Sequence, residues 1–379
     1  MKHVILVCQG ISDESIEELT GRTPLEVAKT PHLDALASKG CLGQASFVPA
    51  SLRASGDVAV MSILGFDPQE FYTGIAPLEA IAMGVPQSDH AIAFRCNLVT
   101  TLDENLIDAY SGNILSKESQ VLIKEINEKL SNDRIKFYSG EGFRNLLMVN
   151  DAELAESLDD LECVPPQTVV GEKFSKNLPK GSTASVIVDL INSSKAILEN
   201  HEINKVRIDL KENPANMIWP WGQGKKPKIP AFRHRYTREG CVFSDLDFLK
   251  GLSKALGLKQ AKSLESAIDE NDFVFAYFPW TEGKKIDMKL KIKFIEEFDS
   301  VVVGPAMKRL EKEGRYRICV TGDCFEPLSK KTAEHGHVPL LMQGAGVDAD
   351  ENTQFNEKSA LQSKLIFEEG HKLMEYFLK

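Results

Sequence analysis

VILVCQG, residues 4–10, decides how this chain folds. Val4 to Cys8 form an unbroken apolar run rich in β-branched residues, which predicts a short strand over 3–8, buried on both faces. The run stops at Gln9-Gly10. Where a buried parallel strand ends is where α/β proteins gather the side chains that meet a ligand. Gln9, in that place, is a neutral amide, a poor nucleophile and a poor metal ligand.

The same grammar extends outward. Residues 23–40 predict a helix whose main part opens at Pro31 behind Thr30 as N-cap and stops at Gly40. Strand signals follow at 44–48 and a helix at 57–65. In the last third, strands at 241–245, 272–278, 315–323 and 338–344 alternate with helices at 245–257 and 289–314. That alternation predicts a doubly wound, mostly parallel α/β sheet. The middle is different: a hairpin at 93–109, a helix at 118–130, two strands around a glycine turn at 136–151 and a helix at 180–200. It reads as an inserted α+β domain. The expected division is a core of 1–84 and 231–379 with an insertion at 85–230, joined through the two-proline stretch KKPKIPAF (225–232).

Composition narrows the partners. A net charge of −10 over 379 residues argues against a nucleic acid. No run approaches the length of a membrane span, so no membrane partner is expected. Seven scattered cysteines without a CxxC pair read as reduced thiols of a cytoplasmic protein. Against that acidic background, residues 222–238 carry six Lys/Arg and no acid, a local reversal that suits an anion or a linker lying on an acidic surface.

TPHLDALASKG (30–40), the SGDVA segment (55–59) running into SILGFDP (62–68), YTGIAPLEA (72–80), FRCNLVT (94–100), FRNLLMV (143–149) and IWPWGQGKKP (218–227) together carry a resemblance. The chain resembles the archaeal-type 2,3-bisphosphoglycerate-independent phosphoglycerate mutases over essentially its whole length. The resemblance implies an alkaline-phosphatase-like core. It also implies interconversion of 3- and 2-phosphoglycerate, a step of glycolysis, through a phosphoserine on two divalent metals, manganese or zinc. Two cations serve such a reaction by deprotonating the serine and neutralising the phosphate.

Matched residue by residue, the implied machinery is missing. Gln9 stands at the position of a ligand Asp and Gly56 at that of the nucleophilic Ser, with Ser55 one residue early. Trp280 replaces a ligand Asp, Lys284 a His, Cys324 the His of an Asp-His pair, and Ala333 the last His. Asp323 alone is retained. An ammonium at Lys284 would repel a cation. The expectation is therefore a pseudoenzyme candidate that needs no cofactor, in a family that uses two metals. A rebuilt site from Asp323, Cys324, His335 and His337 is the competing reading, since those residue types can bind zinc. Ser55 as a displaced nucleophile competes with Ser55 as a helix cap.

On the substrate side, Arg95, Arg144, Lys225, Lys226 and Lys250 stand where the resemblance implies groups facing a phosphorylated acid. Two positions depart from the pattern: Ile75 replaces an Arg and Asn113 a His. Trp219 and Trp221 either frame a pocket or pack at a domain boundary. A phosphorylated small acid or a protein remains the expected partner.

Overall fold

The computed structural model describes residues 1–280, 286–330 and 332–379. In chain order its strands are β1 (Lys2–Cys8), β2 (Cys41–Ala45), β3 (Ala91–Leu102), β4 (Asn105–Asp108), β5 (Ile135–Tyr138), β6 (Arg144–Asn150), β7 (Met217–Gly224), β8 (Cys241–Phe243), β9 (Lys259–Gln260), β10 (Phe273–Phe278), β11 (Tyr316–Thr321), β12 (Val338–Gly344) and β13 (Ile366–Phe367). The chain divides into two units, residues 1–72 with 229–379, and residues 73–228. The first cut falls earlier than the sequence suggested. Helix Ile75–Met83 belongs to the second unit because its Ala76 and Ala80 pack with Ala91, Ala93 and Leu146 there.

The first unit holds one eight-stranded sheet in the order β13-β2-β12-β11-β1-β10-β8-β9. β1 is central, parallel to both β10 and β11, and Val4 to Cys8 have no exposed surface. Flanked on both edges and covered on both faces, it must be apolar throughout, which is the pattern its sequence shows. Only β12 runs against its neighbours. Helices Pro31–Ala37, Leu264–Glu270 and Gly304–Leu310 contribute buried residues to one continuous core with β1, β10 and β11.

The helix expected at 289–314 is broken. Met288–Glu297 passes into a π-turn at Phe298–Val303 and resumes at Gly304–Leu310. Pro305 lacks the amide that a regular helix would need there, and a widened turn accommodates the lost bond. The π-turn carries Asp299, whose carboxylate accepts from His32 N at 3.2 Å and Leu33 N at 2.7 Å. Asp299 therefore caps helix Pro31–Ala37, and Thr30, which makes no side-chain cap bond, does not.

In the second unit β3 is the spine, paired antiparallel with β6, β7 and β4. Trp219 and Trp221 lie on β7 and are buried within this unit. Their indole nitrogens donate to Val164 O at 2.8 Å and Asn97 Oδ1 at 3.2 Å. No helix among the described residues is long and apolar enough to cross a membrane.

Candidate active site

The ends of β1, β10 and β11 meet in one closely bonded cluster. Gln9 follows β1. Its Oε1 accepts from Trp280 N at 3.1 Å and its Nε2 donates to Glu326 Oε1 at 3.4 Å. Trp280 stacks on Phe294 with ring centroids 4.3 Å apart and donates from Nε1 to Glu326 Oε2 at 3.3 Å. Gly10 is left-handed at φ +58°, and a Cβ there would fall 2.5 Å from Trp280 Nε1 and 2.7 Å from Glu326 Oε2. The amide, the indole and the carboxylate thus fill the space around the strand end.

Asp323 follows β11 and is buried. Tyr277 OH donates to its Oδ2 at 2.8 Å and Gly10 N to its Oδ1 at 3.1 Å. Burial raises its carboxyl pKa; the bonds from Tyr277 and from the amides of Gly10 and Cys324 pull the other way. Part of Glu326 reaches solvent but its carboxylate is enclosed, and burial, then the charge of Asp323, raises it to about 8. Burial, followed by Asp323, pushes the Tyr277 phenol well up, so it stays neutral and donates.

Beneath these groups lies a buried ammonium. Lys291 Nζ, on helix Met288–Glu297, donates to Asp13 Oδ2 at 2.6 Å, Glu326 O at 2.7 Å and Ser12 O at 3.1 Å. Both side chains of the Lys291–Asp13 pair are almost fully buried. Three acceptors match its three protons, the condition under which a buried ion pair is tolerated. Asp13 N donates in turn to Glu357 Oε1 at 3.1 Å, and Thr23 Oγ1 to Glu357 Oε2 at 2.6 Å.

The space beside Gly56 is occupied by side chains. Gly56 opens helix Gly56–Ile63, and a Cβ built on it would lie 2.8 Å from Asp323 Oδ2 and 3.1 Å from Tyr277 OH. No serine side chain fits there without displacing the carboxylate. Ser55 occupies the N-cap position but makes no side-chain cap bond, so its reading as a cap through its hydroxyl is corrected. Asp57 accepts a bond from Tyr72 OH.

The four residues of the rebuilt-site reading do not assemble. Cys324 is buried, and burial, then the charges of Asp323, Glu326 and Asp57, push its thiol well up. His335 and His337 are exposed, and His337 Nε2 pairs with Glu368 at 3.1 Å. Among the described residues no three His, Cys, Asp or Glu side chains stand together as a metal site. Ala333 is half-buried and offers no donor; Lys284 lies outside the described residues.

Four of the five basic positions stand beside a carboxylate. Arg95, on β3, is buried, donates from Nε to both oxygens of Glu79 at 3.1 and 3.0 Å, and lies 4.9 Å over the Trp221 ring. Arg144 stands 4.0 Å from Glu141, Lys225 3.6 Å from Asp159, and Lys250 3.1 Å from Asp247. Lys226 is exposed. Sequence reasoning missed Lys291, Asp13, Glu326, Glu357 and Tyr277. The one signal available was the position of Lys291, four residues before Ile295 on the buried face of its helix.

Relatives match this chain along its length. The probable 2,3-bisphosphoglycerate-independent phosphoglycerate mutase of Geobacter sulfurreducens is 36% identical and covers 100% of both chains. The 2,3-bisphosphoglycerate-independent phosphoglycerate mutase of Methanosarcina mazei is 37% identical over 95% of each. The solved PH0037 protein of Pyrococcus horikoshii superposes with a TM-score of 0.78 at 25% identity, covering 100% of this chain and 96% of that one. The cofactor-independent phosphoglycerate mutase of Thermoplasma acidophilum gives 0.61 at 27%, over 100% and 99%. The core is thus of the alkaline-phosphatase-like type.

These matches correct the expectation that no cofactor is used. Independence in the family's description refers to 2,3-bisphosphoglycerate alone, and the family is metal-dependent. Two divalent ions at the strand ends do not fit the residues present there. The chain presents there the amide of Gln9, the indole of Trp280 and Gly56, and both oxygens of Asp323 are engaged by hydrogen bonds. The family profile for 2,3-bisphosphoglycerate-independent phosphoglycerate mutase matches residues 37–204, the relatives extend that match across the whole chain, and the protein belongs to this family.

Proposed function

We propose that this chain is a catalytically silent member of its family, a protein that keeps the mutase fold without two-metal phosphoserine transfer. The observation that carries this reading is Gly56: the attacking hydroxyl is absent, and Asp323 and Tyr277 stand in the space its side chain would need. A phosphoryl group cannot be passed through the enzyme without an acceptor oxygen. Gln9 and Trp280 support the reading, because they bond to Glu326 and to each other where donors would hold cations.

The test is conversion of 3-phosphoglycerate to 2-phosphoglycerate, read through an enolase-coupled assay with manganese, cobalt or zinc added in turn. No turnover above the protein-free blank is expected with any of them. Turnover that rises and saturates with added metal would overturn the proposal.

Binding of a phosphorylated acid without turnover ranks second. Arg95, Arg144, Lys225 and Lys250 each have a carboxylate beside them, which lowers what they can offer an incoming anion. We assign the chain to the cytoplasm; its seven cysteines, all unpaired thiols, support this.

A further inference from the structure

The second half of the basic stretch at 222–238 takes no part in the cluster above. It folds as the short helix Phe232–Tyr236, held to the first unit by its aromatic residues. Phe232 stacks on Phe273 with centroids 4.7 Å apart, and Tyr236 OH donates to Gly65 O at 2.7 Å. Those anchors leave Arg233 and His234 exposed. Thr237, left-handed at φ 55°, then reverses the chain and brings Arg238 back alongside them. Arg233, His234, Thr237, Arg238 and Glu239 line an open cleft of ≈ 430 Å³.

The cleft is partly ordered in advance. Arg238 is half-buried, and its Nη2 donates to Leu378 O at 3.3 Å. Arg235 is turned away over the rings of Phe66 and Tyr236, at 5.4 and 5.7 Å. A plainer account makes these cations partners of the helix's terminal carbonyls. Thr237 N already bonds Arg233 O, and so short a helix has little dipole to compensate. Buried His3 lies within the field of Arg238. Its ring is lowered to about 4, by burial first and then by Arg238 and Arg317, in a protein whose net charge is −10.

We propose that this cleft binds the phosphate of a small molecule, either free phosphate or a phosphomonoester. Two guanidiniums present forked donors to a phosphate dianion, with His234 and the Thr237 hydroxyl beside them. Glu239 is the one acid of the lining and suits a hydroxyl of an ester's organic part. The proposal stands apart from the silent-mutase reading, and neither depends on the other.

Calorimetric titration of the full chain with inorganic phosphate and with glycerol 3-phosphate tests it. Saturable binding is expected, equal for both if phosphate alone is recognised and tighter for the ester if Glu239 contributes. Arg233→Glu reverses an exposed charge, so the fold, checked by circular dichroism, survives; it should weaken binding about tenfold or more, the scale of losing a charge-assisted pair. His234→Glu should act in the same direction. Lys228→Glu, in the same basic stretch but outside the cleft, should leave binding unchanged. Absence of saturation with both probes would overturn the proposal. So would indifference to Arg233→Glu, an equal loss in Lys228→Glu, or binding that appears only with a polynucleotide.

Discussion

At the scale of single residues, the site is governed by space as much as by charge. Gly56 is small because Asp323 Oδ2 and Tyr277 OH stand where its Cβ would be. Asp323 cannot swing aside freely, since both its oxygens accept hydrogen bonds inside the protein. Gly56→Ser therefore overpacks a closed site. We expect a loss of about 1–3 kcal/mol in urea unfolding, with no gain of mutase turnover. A variant as stable as the parent would show that the carboxylate moves without cost. The chemistry of Gln9, Gly56, Trp280 and Ala333 was legible because none of them carries a carboxylate, imidazole or hydroxyl wherever it points. The placement of Lys291, Glu326 and Glu357 was not. A lysine or glutamate side chain is ordinarily solvated, and only the partners brought by distant chain segments make these three internal.

At the scale of elements, β1, β10 and β11 were legible because strands buried on both faces have no room for polar residues. The direction of β12 was not, because an antiparallel strand covered on both faces has the same apolar run as a parallel one. The π-turn at Phe298–Val303 was hidden for a similar reason: its residues keep helical periodicity, and only Pro305 marks the irregularity. Element junctions also store a titration. Glu357, at the start of helix Glu357–Leu361, receives bonds from Thr23 and Asp13 N and is raised by burial from 4.5 to about 7. A carboxyl raised on folding favours the folded state fully below its unfolded pKa, and that advantage is lost as pH rises through the folded value. Stability measured by urea midpoint should fall between pH 4.5 and 7 more steeply in the parent than in Glu357→Gln. Parallel profiles for the two proteins would remove Glu357 from the account.

At the scale of the whole molecule, the insertion is a self-contained unit. Residues 73–228 have their own sheet around β3 and their own apolar core. Their two ends meet: Thr73 Oγ1 donates to Lys225 O at 2.7 Å. A segment whose ends are already adjacent gives up little closure entropy when cut out. Expressed alone, 73–228 should unfold in urea in one cooperative transition. A broad, non-cooperative loss of structure would mean that it draws its stability from the rest of the chain. The division itself was readable from the change of grammar near 85, but helix Ile75–Met83 carries an apolar sequence that suits either core, and so its allegiance was not.

The packing around Gly10 also sets which single substitutions the site can take. Trp280 and Glu326 occupy the volume beside it, and Gln9 bonds to both. Restoring Asp at position 9 alone would remove the amide that donates to Glu326 and set a third carboxylate beside Glu326 and Asp323. Restoring the serine alone would strike Asp323. Each of these two substitutions, made singly, is expected to cost stability, because the side chains around Gly10 and Gly56 are packed against one another.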